Sequence, residues 1–236
     1  MIQAVFFDID DTLYHFTEAN RLAASEVETY VCKELKIESD AWKDAVKQAQ
    51  LRIGARLGQS SPTTHNRQIR FQNALEILHK PIYPHGTKLY QLYWDTVLKN
   101  AVPEPGVERM LDLLKKKGIH LGIGSDMTSY IQNKKLERLG LAPYFDSVIT
   151  SEEAGSDKPN SSIFRLCIEK SGCAPEECLF IGDNWEKDVA GACAAGMHCA
   201  CYSRYSRPPG WGEEYCFNSY EDCIQGDRIR IGKLTI

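Results

Sequence analysis

From residue 103 to residue 202 the chain alternates helical and strand-like patterns, and this alternation narrows the fold more than any other feature. Apolar residues recur at three- and four-residue steps over 107–117, 130–139, 161–171 and 185–195. Between these segments lie short runs of strand type at 119–124, 147–150, 178–181 and 198–202, and another stands at Val5-Phe6-Phe7. Repeated strand and helix units of this kind predict an α/β fold, a parallel sheet covered by helices on both faces. Ligands of such a sheet bind at the carboxyl ends of its strands.

Residues 16–100 break the alternation. Four amphipathic stripes replace the strands: Ala19, Leu22, Ala23, Val27, Tyr30 and Val31, then Trp42, Val46, Ala49 and Ile53 behind a Ser39 N-cap. Phe71, Ala74, Leu75 and Leu78 form the third, and Leu89, Leu92, Tyr93 and Val97 the fourth, separated by Pro81-Ile82-Tyr83-Pro84-His85-Gly86. One apolar face per helix predicts a small bundle inserted after the first strand. Pro103-Glu104-Pro105-Gly106 marks the return to the α/β pattern, and the chain from Pro208-Pro209-Gly210-Trp211-Gly212 onward reads as loop-rich, with a short strand at 215–217.

Nearly every strand exit carries an unusual polar residue. Val5-Phe6-Phe7 runs into Asp8-Ile9-Asp10-Asp11-Thr12, three carboxylates and a hydroxyl where an apolar strand stops. Carboxylates two residues apart point the same way while the chain stays extended, which suits Asp8 and Asp10 to roles as nucleophile or metal ligand. A turn or helix N-cap accounts equally for this cluster taken alone. Ser125-Asp126 follows the next strand, Asp157-Lys158-Pro159 places a cation before a helix, and Gly182 is followed by Asp183 and then Asp188. Singly, these read as a helix cap, a surface charge and a turn.

In this order, Asp8-Ile9-Asp10-Asp11-Thr12, Ser125, Lys158 and Gly182-Asp183-Asn184-Trp185-Glu186-Lys187-Asp188 resemble the four motifs of the haloacid dehalogenase-like hydrolase superfamily. The resemblance runs from residue 1 to about residue 204, and the helical insertion looks like the α-helical cap of subfamily I. It implies a Rossmann-like core over 1–15 and 101–236 and a helical-bundle cap over 16–100. It further implies that Asp8 attacks phosphorus to give an aspartyl phosphate, while Asp10 protonates the leaving oxygen and then activates water. Mg²⁺ would lie between Asp8, the backbone carbonyl of Asp10 and Asp183. Ser125, Asp126 and Lys158 would bind phosphate oxygens, and Asp188 would orient metal waters or pair with Lys158.

Two positions depart from the family pattern: Asp11 where many relatives carry Gly, and Asp126 where Asn is frequent. Both add negative charge near an anion site. Tyr14, His15 and Phe16, at the junction of the two segments, are candidates for lining the entrance, and Trp185 is either a substrate wall or a packing residue. Arg52 with Arg56 and Arg67 with Arg70 lie at helical neighbour spacing, which fits a solvated face or a receiver for a second anionic group.

The expected activity is Mg²⁺-dependent hydrolysis of a small phosphomonoester. The alternatives are a phosphosugar mutase or a 2-haloacid dehalogenase of the same superfamily, or a non-catalytic phospho-Asp signalling protein; the dehalogenase sits poorly with Asp10. A net charge of -4 and the absence of a long basic run exclude a nucleic-acid binder working through bulk electrostatics. Neither a charged leader with a cleavable apolar stretch nor a membrane-length segment stands out, so the expected location is the cytoplasm. Nine cysteines in weak spacings read as reduced, mostly packing residues, with a redox or metal role for Cys199, Cys201 or Cys216 as the alternative. The expected partner is a small phosphorylated metabolite, with monomer and homodimer both open.

Overall fold

The computed structural model describes residues 1–204 and 216–236. In chain order, β1 (Ala4–Phe7) is followed by α1 (Phe16–Leu35), α2 (Ser39–Leu57), α3 (Arg67–Ile77) and α4 (His85–Lys99). Then come α5 (Val107–Lys116), β2 (His120–Ser125), α6 (Ser129–Leu139), β3 (Ser147–Thr150), α7 (Ser151–Ala154) and α8 (Ser161–Ser171). β4 (Cys178–Gly182), a π-helical turn at Trp185–Val189, α9 (Ala190–Ala194), β5 (His198–Tyr202) and β6 (Cys216–Phe217) complete the main pattern. The chain divides into an α/β unit, Met1–His15 with Val102–Ile236, and a helical unit, Phe16–Ala101.

In the α/β unit six parallel strands lie in the order β3-β2-β1-β4-β5-β6. β1 is central, with Phe7 in register with Ile123 on one side and Ile181 on the other. All four β1 residues are fully buried, as expected of a strand with helices on both of its faces. Ala4 and Phe6 join Ile149, Phe164, Cys167 and Phe180 in one core cluster, whereas Phe7 packs edge-on against Phe145. The two glycines of β2 make room for these rings: a Cβ on Gly122 would lie 2.2 Å from the Phe6 ring, and one on Gly124 would lie 2.6 Å from the Phe180 ring.

The helical unit buries the stripes read from its sequence. Ala19, Ala23, Val27 and Val31 of α1, Trp42, Ala49 and Ile53 of α2, Phe71, Ala74 and Leu75 of α3, and Leu89, Tyr93 and Val97 of α4 all lie inside. One expectation fails locally: α2 begins at Ser39 with Glu38 as its N-cap, and the Ser39 hydroxyl donates to Glu28 of α1 instead of capping the helix.

Two further corrections concern the α/β unit. The end of the chain is not only loop: β7 (Ile224–Gln225), β8 (Arg228–Ile231) and β9 (Leu234–Thr235) form a small antiparallel sheet with Ile229 and Ile231 buried. Alternation over 228–231 carried the signal, in a run too short to stand out. A disulfide joins Cys193 to Cys199, against the expectation of reduced thiols, because the end of α9 and the start of β5 bring their Cα atoms within 6.1 Å. β6 covers the end of the expected strand at 215–217; Tyr215 and the stretch Pro208-Pro209-Gly210-Trp211-Gly212 lie outside the described residues. No described helix is long and apolar enough to cross a membrane.

Candidate active site

Asp8 is the first residue beyond β1, and the sheet order makes that position a topological switch point, with β2 and β3 on one side and β4 and β5 on the other. Its backbone N–H donates to the Ile181 carbonyl at 2.8 Å, so the chain leaves the sheet between the ends of β2 and β4. The loop before α8 brings in Lys158. Its ammonium donates to Asp8 Oδ1 at 2.8 Å and to the Gly124 carbonyl at 3.0 Å, and it lies 2.6 Å from Asp188 Oδ1. Burial works against a charge here, but Asp188, Asp8 and Asp126 outweigh it and hold Lys158 protonated well above the ordinary lysine range.

Asp188 reaches this position through the π-helical turn, beneath a glycine. A Cβ on Gly182 would lie 2.3 Å from the Asp188 carboxylate, so only glycine at the end of β4 admits it. The Asn184 backbone N–H fixes the other oxygen, Oδ2, at 2.9 Å. Asp183 joins them: one oxygen each of Asp8, Asp183 and Asp188 lies within 4.8 Å of the others. Burial, followed by the charges of Asp8, Asp188 and Asp11, pushes the Asp183 carboxyl up to about 8. Among the described residues its side chain has no hydrogen-bond partner.

Three hard oxygen donors around one lysine leave uncompensated negative charge, and a divalent cation fits that set. A cation there would favour the carboxylate form of Asp183, reversing the direction of the shift.

Ser125 ends β2 buried, its hydroxyl accepting from the Gln132 side-chain amide at 2.6 Å. Gln132 also donates to the Asp126 carbonyl at 2.9 Å, tying the turn to α6. The Asp126 carboxylate accepts from the Lys158 backbone N–H at 2.8 Å and from the Lys187 ammonium at 3.0 Å. The extra charge at position 126 is thus neutralised by Lys187, four residues past Asp183. Asp11 takes φ 57°, in the left-handed region, which explains why glycine suits this position and why the short polar Asp is tolerated.

Asp10 does not face an empty site. Both of its carboxylate oxygens accept from the Lys135 ammonium at 2.7 Å, and Oδ1 also accepts from the Tyr14 hydroxyl at 2.9 Å. Lys135 is fully buried. Burial and the nearby Asp8 charge raise the Asp10 carboxyl above the usual carboxylate range, with Lys135 and Tyr14 pulling it back. Tyr14, read as an entrance residue, is itself fully buried with its hydroxyl on Asp10. His15 is half-buried. Trp185 is half-buried and packs against the Phe164 and Phe180 cluster, while bordering a cavity of about 260 Å³ with Asp183, Asn184 and Glu186.

Lys135, Gln132 and Lys187 escaped the sequence reading. Gln132 and Lys135 lie on the buried stripe of α6 with Ile131, Leu136 and Leu139. Two polar residues on an apolar helical stripe were the available signal. Lys187 had none, since its partner comes from 61 residues away.

Fold and site together define a hydrolase class, and comparison with known proteins identifies the family. Residues 2–196 match the model of the haloacid dehalogenase-like hydrolases, and the chain belongs to that family. The ribulose-1,5-bisphosphate 5-phosphatase of Halopiger xanaduensis is 34% identical over 205 residues, covering 86% of this chain and 85% of that protein. The glyceraldehyde 3-phosphate phosphatase of Methanothermobacter thermautotrophicus is 30% identical, with 84% of each chain covered. The HAD phosphatase from Thermococcus onnurineus superposes with a TM-score of 0.71 at 25% identity, over 94% of this chain and 95% of that one.

Proposed function

We propose that this hydrolase is a Mg²⁺-dependent phosphatase that cleaves a small phosphomonoester through an aspartyl phosphate on Asp8. The observation that carries the reading is the buried Lys158 ammonium bridging Asp8 and Asp188, 2.8 and 2.6 Å away. A dianionic phosphoryl group cannot approach a carboxylate unless positive charge offsets the repulsion, and Lys158 supplies it in a dry site. Phosphatase relatives of similar length support the same reaction class.

An Asp8 oxygen attacks phosphorus, the P–O ester bond breaks, and Asp10 gives its proton to the leaving alkoxide. Water then attacks the aspartyl phosphate, Asp10 takes the water proton, orthophosphate leaves and the Asp8 carboxylate is regenerated. The raised Asp10 carboxyl suits this proton traffic, and Lys135 with Tyr14 fixes its oxygens. Ser125, held by Gln132, and the backbone amides of the Asp126 turn take the transferring oxygens. Asp8, Asp183 and the Asp10 backbone carbonyl, with Asp188 nearby, would hold Mg²⁺, which would supply further charge neutralisation at the phosphoryl group. In this reading residues 16–100 are the cap domain and residues 1–15 with 101–236 the core domain, the substrate is a soluble metabolite, and the enzyme works in the cytoplasm.

Hydrolysis of an aryl phosphate tests the reading. Turnover requires Mg²⁺, stops with EDTA, and falls at least about a thousandfold in Asp8→Asn and a hundredfold in Asp10→Asn. Activity that survives Asp8→Asn removes the nucleophile assignment.

A further inference from the structure

The helical unit contains a cavity of about 290 Å³ among its own four helices. The rings of Trp42, Phe71 and Tyr93 wall it, and Arg67 and Arg70 line it from the first turn of α3. That placement is electrostatically unfavourable. A helix N-terminus carries positive partial charge and favours Asp or Glu, yet the first turn of α3 has no acidic residue and carries two arginines at neighbour spacing.

Neither guanidinium has a carboxylate partner among the described residues. Arg70 donates to the Thr64 carbonyl at 2.8 Å, and its buried Nε has no acceptor. Arg67 makes one long contact, 3.4 Å, to the His65 carbonyl and stacks with its guanidinium carbon 5.2 Å from the Tyr93 ring centre. The other charges in the cavity cancel: Glu28 pairs with Lys43 at 3.0 Å and also accepts from Ser39. Asn20 is held by the Tyr93 hydroxyl. What remains is two uncompensated guanidiniums against aromatic walls.

We propose that this cavity is a binding site for a small oxyanion-bearing metabolite, its phosphate or carboxylate group held by Arg67 and Arg70 and its apolar part lying against Trp42 and Phe71. A planar guanidinium presents paired N–H groups that match such an anion, and the vacant Nε edge of Arg70 is a donor waiting for one. Burial, then the neighbouring Arg67, lowers the Arg70 guanidinium to about 9, which leaves it charged at neutral pH and short of a counter-charge. The space suits a metabolite of a few carbons, and the rings add apolar contact without adding charge.

Arginine labelling with phenylglyoxal, read by peptide mass spectrometry on the whole unmodified protein, tests the site without relying on turnover, so it stands apart from the phosphatase reading. Labelling rates are compared with and without inorganic phosphate, and in a second arm with malonate, at matched ionic strength. Arg21, whose side chain is 66% exposed and pairs with Glu18, serves as the internal reference. The expected result is at least a threefold slowing at Arg67 and Arg70 by one or both anions, with Arg21 unchanged. The arm that protects identifies the headgroup. In Arg70→Met the protection of Arg67 should shrink at least threefold. Rates at Arg67 and Arg70 that ignore both anions, or that fall in step with Arg21, would overturn the proposal, as would full protection of Arg67 in Arg70→Met.

Discussion

Lys135 sets the energetics of Asp10. A buried ion pair of this kind contributes little net stability over an apolar pair, but removing one member strands the other charge at a cost of about 3–5 kcal/mol. Lys135→Met is therefore expected to lower the urea-unfolding free energy by about 3 kcal/mol, whereas the double variant Asp10→Asn/Lys135→Met recovers at least about 1 kcal/mol of that loss. Additive losses in the double-mutant cycle would show that the two residues are not energetically coupled. The stripe position of Lys135 was readable, but its partner was not, because the two lie 125 residues apart. Asp8 and Lys158, 150 residues apart, were linked only through the family resemblance.

At the scale of elements, β2 shows how packing shapes the site. Its Gly122 and Gly124 make room for the Phe6 and Phe180 rings, and the Gly124 carbonyl accepts from the Lys158 ammonium. Gly122→Ala is expected to cost about 1–3 kcal/mol through overpacking against Phe6 and Ser147, measured as a shift of the urea midpoint without a change of slope. A variant as stable as the parent would mean that Phe6 can rotate away freely. Strand and helix positions were legible from period alone over 147–150, 161–171 and 198–202, where the expected bounds match β3, α8 and β5. The short β7, β8 and β9 were not, since two to four residues give period two little room to show.

For the molecule as a whole, the carboxylate cluster links stability to pH and metal. Asp183 sits at about 8 in the fold against an unfolded value near 3.8, so between those limits the folded chain binds more protons than the unfolded one. Stability must then fall as pH rises through that window. In EDTA, the Tm is expected to be at least ~3 °C lower at pH 8 than at pH 6, with a smaller drop in Asp183→Asn. Mg²⁺ should raise the Tm more at pH 8, where fewer protons compete for the carboxylates. An Asp183→Asn profile parallel to the parent would detach the effect from this residue.

The order of apolar runs and amphipathic stripes was enough to define an α/β sheet with a helical insertion, because strand and helix periods are local properties of the chain. The same reading placed Asp8, Ser125, Lys158 and Asp183 at the ends or just beyond the ends of elements, where a parallel sheet gathers them. Which charges touch was decided only in three dimensions. The hold of Lys135 on Asp10 and the neutralisation of Asp126 by Lys187 depend on side chains from different elements meeting in space. No local pattern encodes such meetings, since burial and distance, not spacing along the chain, set their energy.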